Sequence, residues 1–175
     1  MNSNLSTVQQ IYACFGQGDV PGIIAKLADQ VRFFNAADPA VSPFGGTFSG
    51  KDGVARFFTA LGSSTQTTLF EPANFREEGS KVINDVRHDG VASGTGKPFS
   101  VRASFVWTFN ENGEVTDWTS SGDFSSINAA FVKRFSGFLR HENRIHYGRH
   151  GLYRYPAHTD TAPTRTPGDR LRAAR

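Results

Sequence analysis

The clearest pattern in the chain is an alternation. Phe99, Val101, Ala103, Phe105, Trp107 and Phe109 alternate with Ser100, Arg102, Ser104, Val106 and Thr108. Period two with one wholly apolar face predicts a strand with one side on a core. Phe99, Val101, Ala103, Phe105 and Trp107 should therefore point inward. Asn110 to Gly113 reads as a hairpin turn, and Val115 to Asp123 as the next strand. Upstream, Lys81 to Asp89 reads as a strand with Val82 and Val86 on its inner phase. Leu69 to Glu78 reads as another, which Pro72 confines to an edge or a bulge.

The first third of the chain has a different period. Val8, Ile11, Tyr12 and Phe15 fall at i, i+3, i+4 and i+7, which predicts a helix capped by Ser6 or Thr7 and stopped by Gly16 and Gly18. Asp19 caps a second short helix, with Pro21 in its first turn and Ile23, Ile24 and Leu27 as its apolar side. Val31 to Asn35 predicts a short strand, and Ala36 to Gly50 a loop rich in Pro and Gly. Lys51 to Leu61 predicts a third helix, with Val54, Phe57, Phe58 and Leu61 on one side. Helices followed by a meander of strands imply an α+β fold, with the helices on one face of an antiparallel sheet. A curved sheet closed by three helices leaves room for a cavity, and most of the 16 Phe lie where they would line or fill it.

Charge divides the chain at about residue 135. Residues 1–135 carry 11 Lys and Arg against 13 Asp and Glu, whereas residues 136–175 carry 8 Arg and 3 acids. The basic character thus belongs to the tail, which removes the main support for nucleic-acid binding by the domain. The tail has only four Leu, Ile or Val residues and ends in Thr, Pro and Arg, so it is expected to be a disordered extension. The expected organisation is a domain at 1–135 and a tail at 136–175.

The single cysteine, Cys14, excludes an intrachain disulfide and sits in an apolar helical stripe as a core residue. The opening MNSNLSTVQQ has neither a basic start nor an apolar run, and no stretch approaches the ~20 apolar residues of a membrane span. A cytoplasmic location, with no membrane partner, is the default expectation. His146 and His150 lack cysteine or carboxylate company at a ligand spacing, so no metal and no cofactor is expected.

Several local patterns, in this order, resemble the SnoaL-like, ketosteroid-isomerase-like family of the nuclear transport factor two-like superfamily. They are Gly18-Asp19 with Leu27-Ala28-Asp29, then Val31-Arg32-Phe33 leading to Asp38-Pro39-Ala40 and Pro43-Phe44-Gly45-Gly46-Thr47. Gly50-Lys51-Asp52-Gly53-Val54, Gly94-Thr95-Gly96-Lys97-Pro98-Phe99 and Gly113-Glu114-Val115 with Trp118 and Asp123 complete the set. The resemblance implies a cone-shaped curved sheet with three N-terminal helices on its concave face. It also implies a homodimer formed through the outer face of the sheet.

The resemblance implies a pocket for a small apolar or polyketide-like molecule. The chemistry would be a cofactor-independent isomerase, cyclase or hydrolase step. The alternative is a non-catalytic ligand-binding or protein-interaction module. Isomerases of the family place an Asp base where this chain has Asn35, an acidic oxyanion donor where it has Phe105, and a Tyr where it has Ile11, next to Tyr12. The related epoxide hydrolases hold water with an Asn, which Asn35 matches, but Phe33 replaces their Tyr. Asp85-Val86-Arg87 reverses their Arg-x-Asp pair, and Ser120 replaces their last Asp. The candidate acid–base residues are Asn35, Asp38 and His88. The candidate pocket wall is Tyr12, Phe15, Phe33, Phe58, Ala103, Phe105, Trp118 and Ser120. Whether Asp85 and Arg87 or Asn84 and His88 face the cavity depends on the register of one strand.

Overall fold

The computed structural model describes residues 3–133, together with the short backbone segments 147–148 and 151–152. Those two segments, β7 (Tyr147–Gly148) and β8 (Gly151–Leu152), pair as an antiparallel ladder. The remainder of the tail expected at 136–175 lies outside the described residues.

Helix α1 (Asn4–Gly16) starts earlier than its apolar period suggests, because Ser3 is the cap and its hydroxyl accepts the Ser6 N–H. It ends in a Schellman turn. Gly18 takes φ +69°, its N–H reaches the Phe15 carbonyl, and the Asp19 N–H reaches Cys14. Only glycine adopts that backbone at little cost. Asp19 then caps α2 (Val20–Ile24) through the Gly22 N–H. Strand β1 (Leu27–Asn35) is followed by β2 (Gly46–Ser49), α3 (Gly50–Ser64), β3 (Thr65–Glu78) and β4 (Lys81–Ala92). The chain continues through β5 (Pro98–Phe109), β6 (Val115–Asp123) and α4 (Ser125–Phe131).

The six strands form one sheet in the order β2-β1-β6-β5-β4-β3. The meander β3 to β6 is antiparallel as expected, but the sheet is mixed, since β1 and β6 run parallel. The last strand of the meander returns beside β1 in the same direction. That pairing also extends β1 back to Leu27, which sits opposite Val115 across a bulge. β3 is an edge strand with two register shifts, one on each side of Pro72, which is where a residue without an N–H is tolerated.

Two elements escape the sequence pattern. β2 lies inside the expected Pro/Gly loop as a four-residue edge strand, too short to show a period. α4 follows the last strand and buries Ile127 and Ala130. Residues on the inner phase of β5 are buried or line the interior, while Arg102 is exposed. The core contains Val8, Ile11, Ile23, Val54 and Phe57 from the helices, packed against Phe33, Trp107 and Trp118 from the sheet. Cys14 packs partly buried against the same core. Among the described residues no helix is long and apolar enough to cross a membrane.

Candidate functional site

The inner face of the sheet and the helices above it enclose a cavity of about 70 Å³. α1 contributes Ile11, Tyr12 and Phe15, β1 contributes Phe33 and Asn35, and α3 contributes Phe57, Phe58 and Leu61. β4 to β6 supply Val86, His88, Val101, Ala103, Phe105, Trp107 and Trp118. Phe124 and Ile127 of the α4 region close one side. The space is well below the roughly 300–1,000 Å³ of pockets for drug-sized ligands.

Helical spacing on α1 and strand alternation on β1, β4, β5 and β6 produce this wall. On β4 the buried phase is Val82, Asn84 and Val86, so His88 enters the cavity. Asp85 and Arg87 point to the other face. There Asp85 accepts from Asn74 at 2.9 Å and Arg87 pairs with Asp89 at 2.7 Å. They line a wider depression of about 700 Å³ on the outer face with Glu71 and Arg102.

Of the expected pocket residues, Tyr12, Phe15, Phe33, Phe58, Ala103, Phe105 and Trp118 line the cavity. Ser120 does not. It shares the phase of Trp118, but its hydroxyl turns to the backbone and accepts the Ala36 N–H at 3.0 Å, pinning the exit of β1 to β6. Of the expected acid–base residues, Asn35 and His88 line the cavity and Asp38 does not. Asp38 is exposed, and its carboxylate accepts the Ala40 N–H in a turn before Ser42. A turn-forming Asp ahead of Pro39 explains that geometry.

Two side chains in the cavity wall can titrate, and both are held neutral near pH 7. Burial between Phe70 and Phe99, whose ring centroids lie 5.5 and 5.2 Å away, lowers the His88 imidazole to about 4; neighbouring Asp89 opposes this weakly. Its Nε2 lies 2.9 Å from the Thr67 hydroxyl. Burial raises the Tyr12 phenol above its ordinary range, despite hydrogen bonds that favour the ionised form. The Asn35 Oδ1 accepts the Ala37 N–H at 2.9 Å, so its amide NH₂ is not needed for that turn. No Lys, Arg, Asp or Glu lines the cavity.

Sequence reasoning named Tyr12 and Asn84 as cavity candidates but missed that they join Trp107 in a polar cluster. Asn84, fully buried, accepts the Tyr12 hydroxyl at 2.9 Å and the Trp107 indole N–H at 3.3 Å. The Trp107 N–H is shared with the Tyr12 oxygen at 3.3 Å. The available signal was Asn84 itself, a polar residue in the apolar phase of its strand, which implies a buried partner. Trp118 contrasts with this cluster, because its Nε1–H is buried and has no hydrogen-bond partner. Among the described residues no group of three or more His, Cys, Asp or Glu could hold a metal ion.

Similarities to known proteins follow the fold. An NTF2-like protein of unknown function from Burkholderia pseudomallei is 25% identical, with a TM-score of 0.68, over 76% of this chain and 100% of that one. TerC, co-crystallised with polyporic acid, is 20% identical with a TM-score of 0.64, over 73% of this chain and 97% of that one. A protein of ketosteroid-isomerase-like fold from Catenulispora acidiphila, in complex with trimethylamine, is 15% identical with a TM-score of 0.60, over 71% and 91% of the two chains. The last two likenesses are of fold alone. A comparison with functionally curated proteins finds no match. The family model described as the SnoaL-like domain matches residues 8–118, the span that builds α1 to β5 and reaches the cavity's second tryptophan, and the chain belongs to that family.

Proposed function

We propose that this chain binds a small, uncharged, largely apolar molecule in the cavity between sheet and helices. The observation that carries the reading is the composition of the wall. Nearly all of it is aromatic or aliphatic, and its two titratable groups stay neutral near pH 7. Burying an unpaired charge there would cost far more than aromatic contacts return. The size of the cavity favours a ligand of a few heavy atoms or a single ring over a polycyclic skeleton.

Ligand-observed NMR with neutral cyclic compounds and with carboxylate and ammonium analogues of the same size tests this. Neutral compounds should bind, charged ones should not, and Ala103→Phe should abolish binding by filling the cavity. Binding of the charged set alone, or binding that survives in a folded Ala103→Phe chain, would overturn the reading.

One observation favours a second reading, in which the same site performs a cofactor-independent isomerase, cyclase or hydrolase step. His88 presents a neutral imidazole to the cavity and could accept a proton from a bound substrate. A base near 4 is poorly matched to work at pH 7, and no carboxylate lines the cavity, so ligand binding is the better-supported function. Were His88 the base, the rate would be flat at neutral pH and fall as pH drops through about 4. His88→Gln would remove it.

The homodimer implied by the family resemblance belongs to the same proposal. The depression lined by Glu71, Asp85, Arg87 and Arg102 lies on the face away from the cavity and carries both signs of charge. Such a surface is suited to self-complementary pairing. Sedimentation at micromolar concentration should give a dimer, and a monomer alone would contradict it.

A further inference from the structure

Trp118 combines two properties that rarely coincide in a settled core. Its side chain lines the cavity and is 3% exposed. Its indole Nε1–H is the one buried side-chain N or O without a hydrogen-bond partner among the described residues. Buried polar groups are almost always paired, and an orphan one costs free energy that a ligand can return.

The neighbours do not supply a strong acceptor. Phe105 meets the indole in a T-shaped arrangement at 4.8 Å, and Phe33 and Phe57 lie at 5.0 and 5.6 Å. A contact with an aromatic face is a weak substitute for an oxygen. Water is a weaker occupant, since an ordered buried water makes two to four polar contacts and the surrounding wall is otherwise built of rings. A molecule that brings its own apolar body and one acceptor atom fits better.

The position of Asn35 adds a second donor. Phe33 pairs with Trp118 across β1 and β6, and Asn35 lies two residues further along β1, on the same face. Its Oδ1 is taken by the Ala37 N–H, which leaves the NH₂ for the cavity. Trp118 and Asn35, both in the cavity lining, thus carry uncommitted donors and no charge.

We propose that Trp118 Nε1–H is the ligand-anchoring donor of the cavity, with the Asn35 amide as its helper, and that the ligand is a small neutral carbonyl compound whose oxygen docks there. This rests on the small-molecule reading above and narrows it to a chemical class. The carbonyl oxygen accepts the indole proton's hydrogen bond while the hydrocarbon part lies against Phe33, Phe105 and Trp107. Phe105, only partly buried, packs edge-on against the same indole.

The test uses two probes of nearly equal shape, cyclopentanone and methylenecyclopentane, in which C=O is replaced by C=CH₂. Their dissociation constants are measured on the full chain and on Trp118→Phe. Cyclopentanone should lose about tenfold on substitution and the hydrocarbon less than about twofold, the difference being one buried hydrogen bond. Equal losses for both probes would overturn the Trp118 assignment while leaving the small-molecule reading intact. Failure of both probes to bind the unsubstituted chain would overturn both.

If Trp118→Phe does not fold, the infrared C=O stretch of cyclopentanone bound to the unsubstituted protein replaces it. A frequency below that of the ketone in cyclohexane supports the donor, and an unshifted band overturns it.

Discussion

Trp107 and Trp118 stand directly opposite one another on β5 and β6. Both are 3% exposed, and both line the same cavity. Their ring centroids are 6.0 Å apart. Yet the Trp107 N–H is shared between Asn84 and Tyr12, whereas the Trp118 N–H has no partner. The difference separates two uses of one residue type. At the Tyr12 end the polar atoms satisfy each other, so that end is closed and belongs to the fold. At the Asn35 end a donor is left open, so that end is suited to receive something. An aromatic wall alone does not distinguish core from site; the hydrogen-bond accounting does.

Removing the floor beneath both indoles should have the largest effect. Phe33 is 1% exposed and packs on both tryptophans, with ring centroids 6.1 Å from Trp107 and 5.0 Å from Trp118. Phe33→Ala is expected to cost about 3–5 kcal/mol in denaturant unfolding. A loss under 1 kcal/mol would mean that the rings around it collapse to fill the space.

Next in size is the pH dependence that His88 carries. The His88 imidazole is lowered by burial to about 4, against roughly 6.5 in the unfolded chain. As pH falls, the unfolded chain takes up the proton first. The His88 contribution is therefore complete above about pH 6.5 and declines as pH falls towards 4, by up to about 3 kcal/mol. His88→Leu should flatten that part of the stability profile. An unchanged slope would show that the imidazole titrates normally in the folded state.

The two tryptophans can also be compared directly. Trp107→Phe strips Asn84 and Tyr12 of a donor, whereas Trp118→Phe removes a donor that served nothing. Each loses similar ring volume, so Trp107→Phe should be the more destabilising by about 1 kcal/mol. Equal costs would erase the distinction between the two ends.

The smallest effect is expected from the tail. Deleting Arg140 to Arg175 should move the melting temperature by only a few degrees, because the few aliphatic residues of this stretch cannot offset ordering at about 1–2 kcal/mol per residue. Unfolding of the truncated chain would move the domain boundary.

Much of this site was legible in the chain because strand alternation leaves little freedom. The phase of Val82 and Val86 favours His88 inward and Asp85 and Arg87 outward but leaves the register open, and the structure has that arrangement. The run from Phe99 to Trp107 likewise identified the inner face of β5. What escaped was set by other forces. Ser120 and Asp38 carry oxygen atoms that local backbone N–H groups capture, so neither reaches the cavity. β2 is shorter than any readable period. The Tyr12, Asn84 and Trp107 cluster joins residues as much as 95 positions apart, beyond the reach of local patterning. The solitude of the Trp118 N–H depends on what its neighbours lack, and no run of residues encodes that.

The two indole N–H resonances, observed together in a ¹⁵N-labelled sample titrated with cyclopentanone, test the central contrast most directly. The Trp118 proton should move downfield as the ketone oxygen binds it, while the Trp107 proton, held by Asn84 and Tyr12, should stay nearly fixed. Movement of Trp107 with Trp118 unchanged would contradict that contrast.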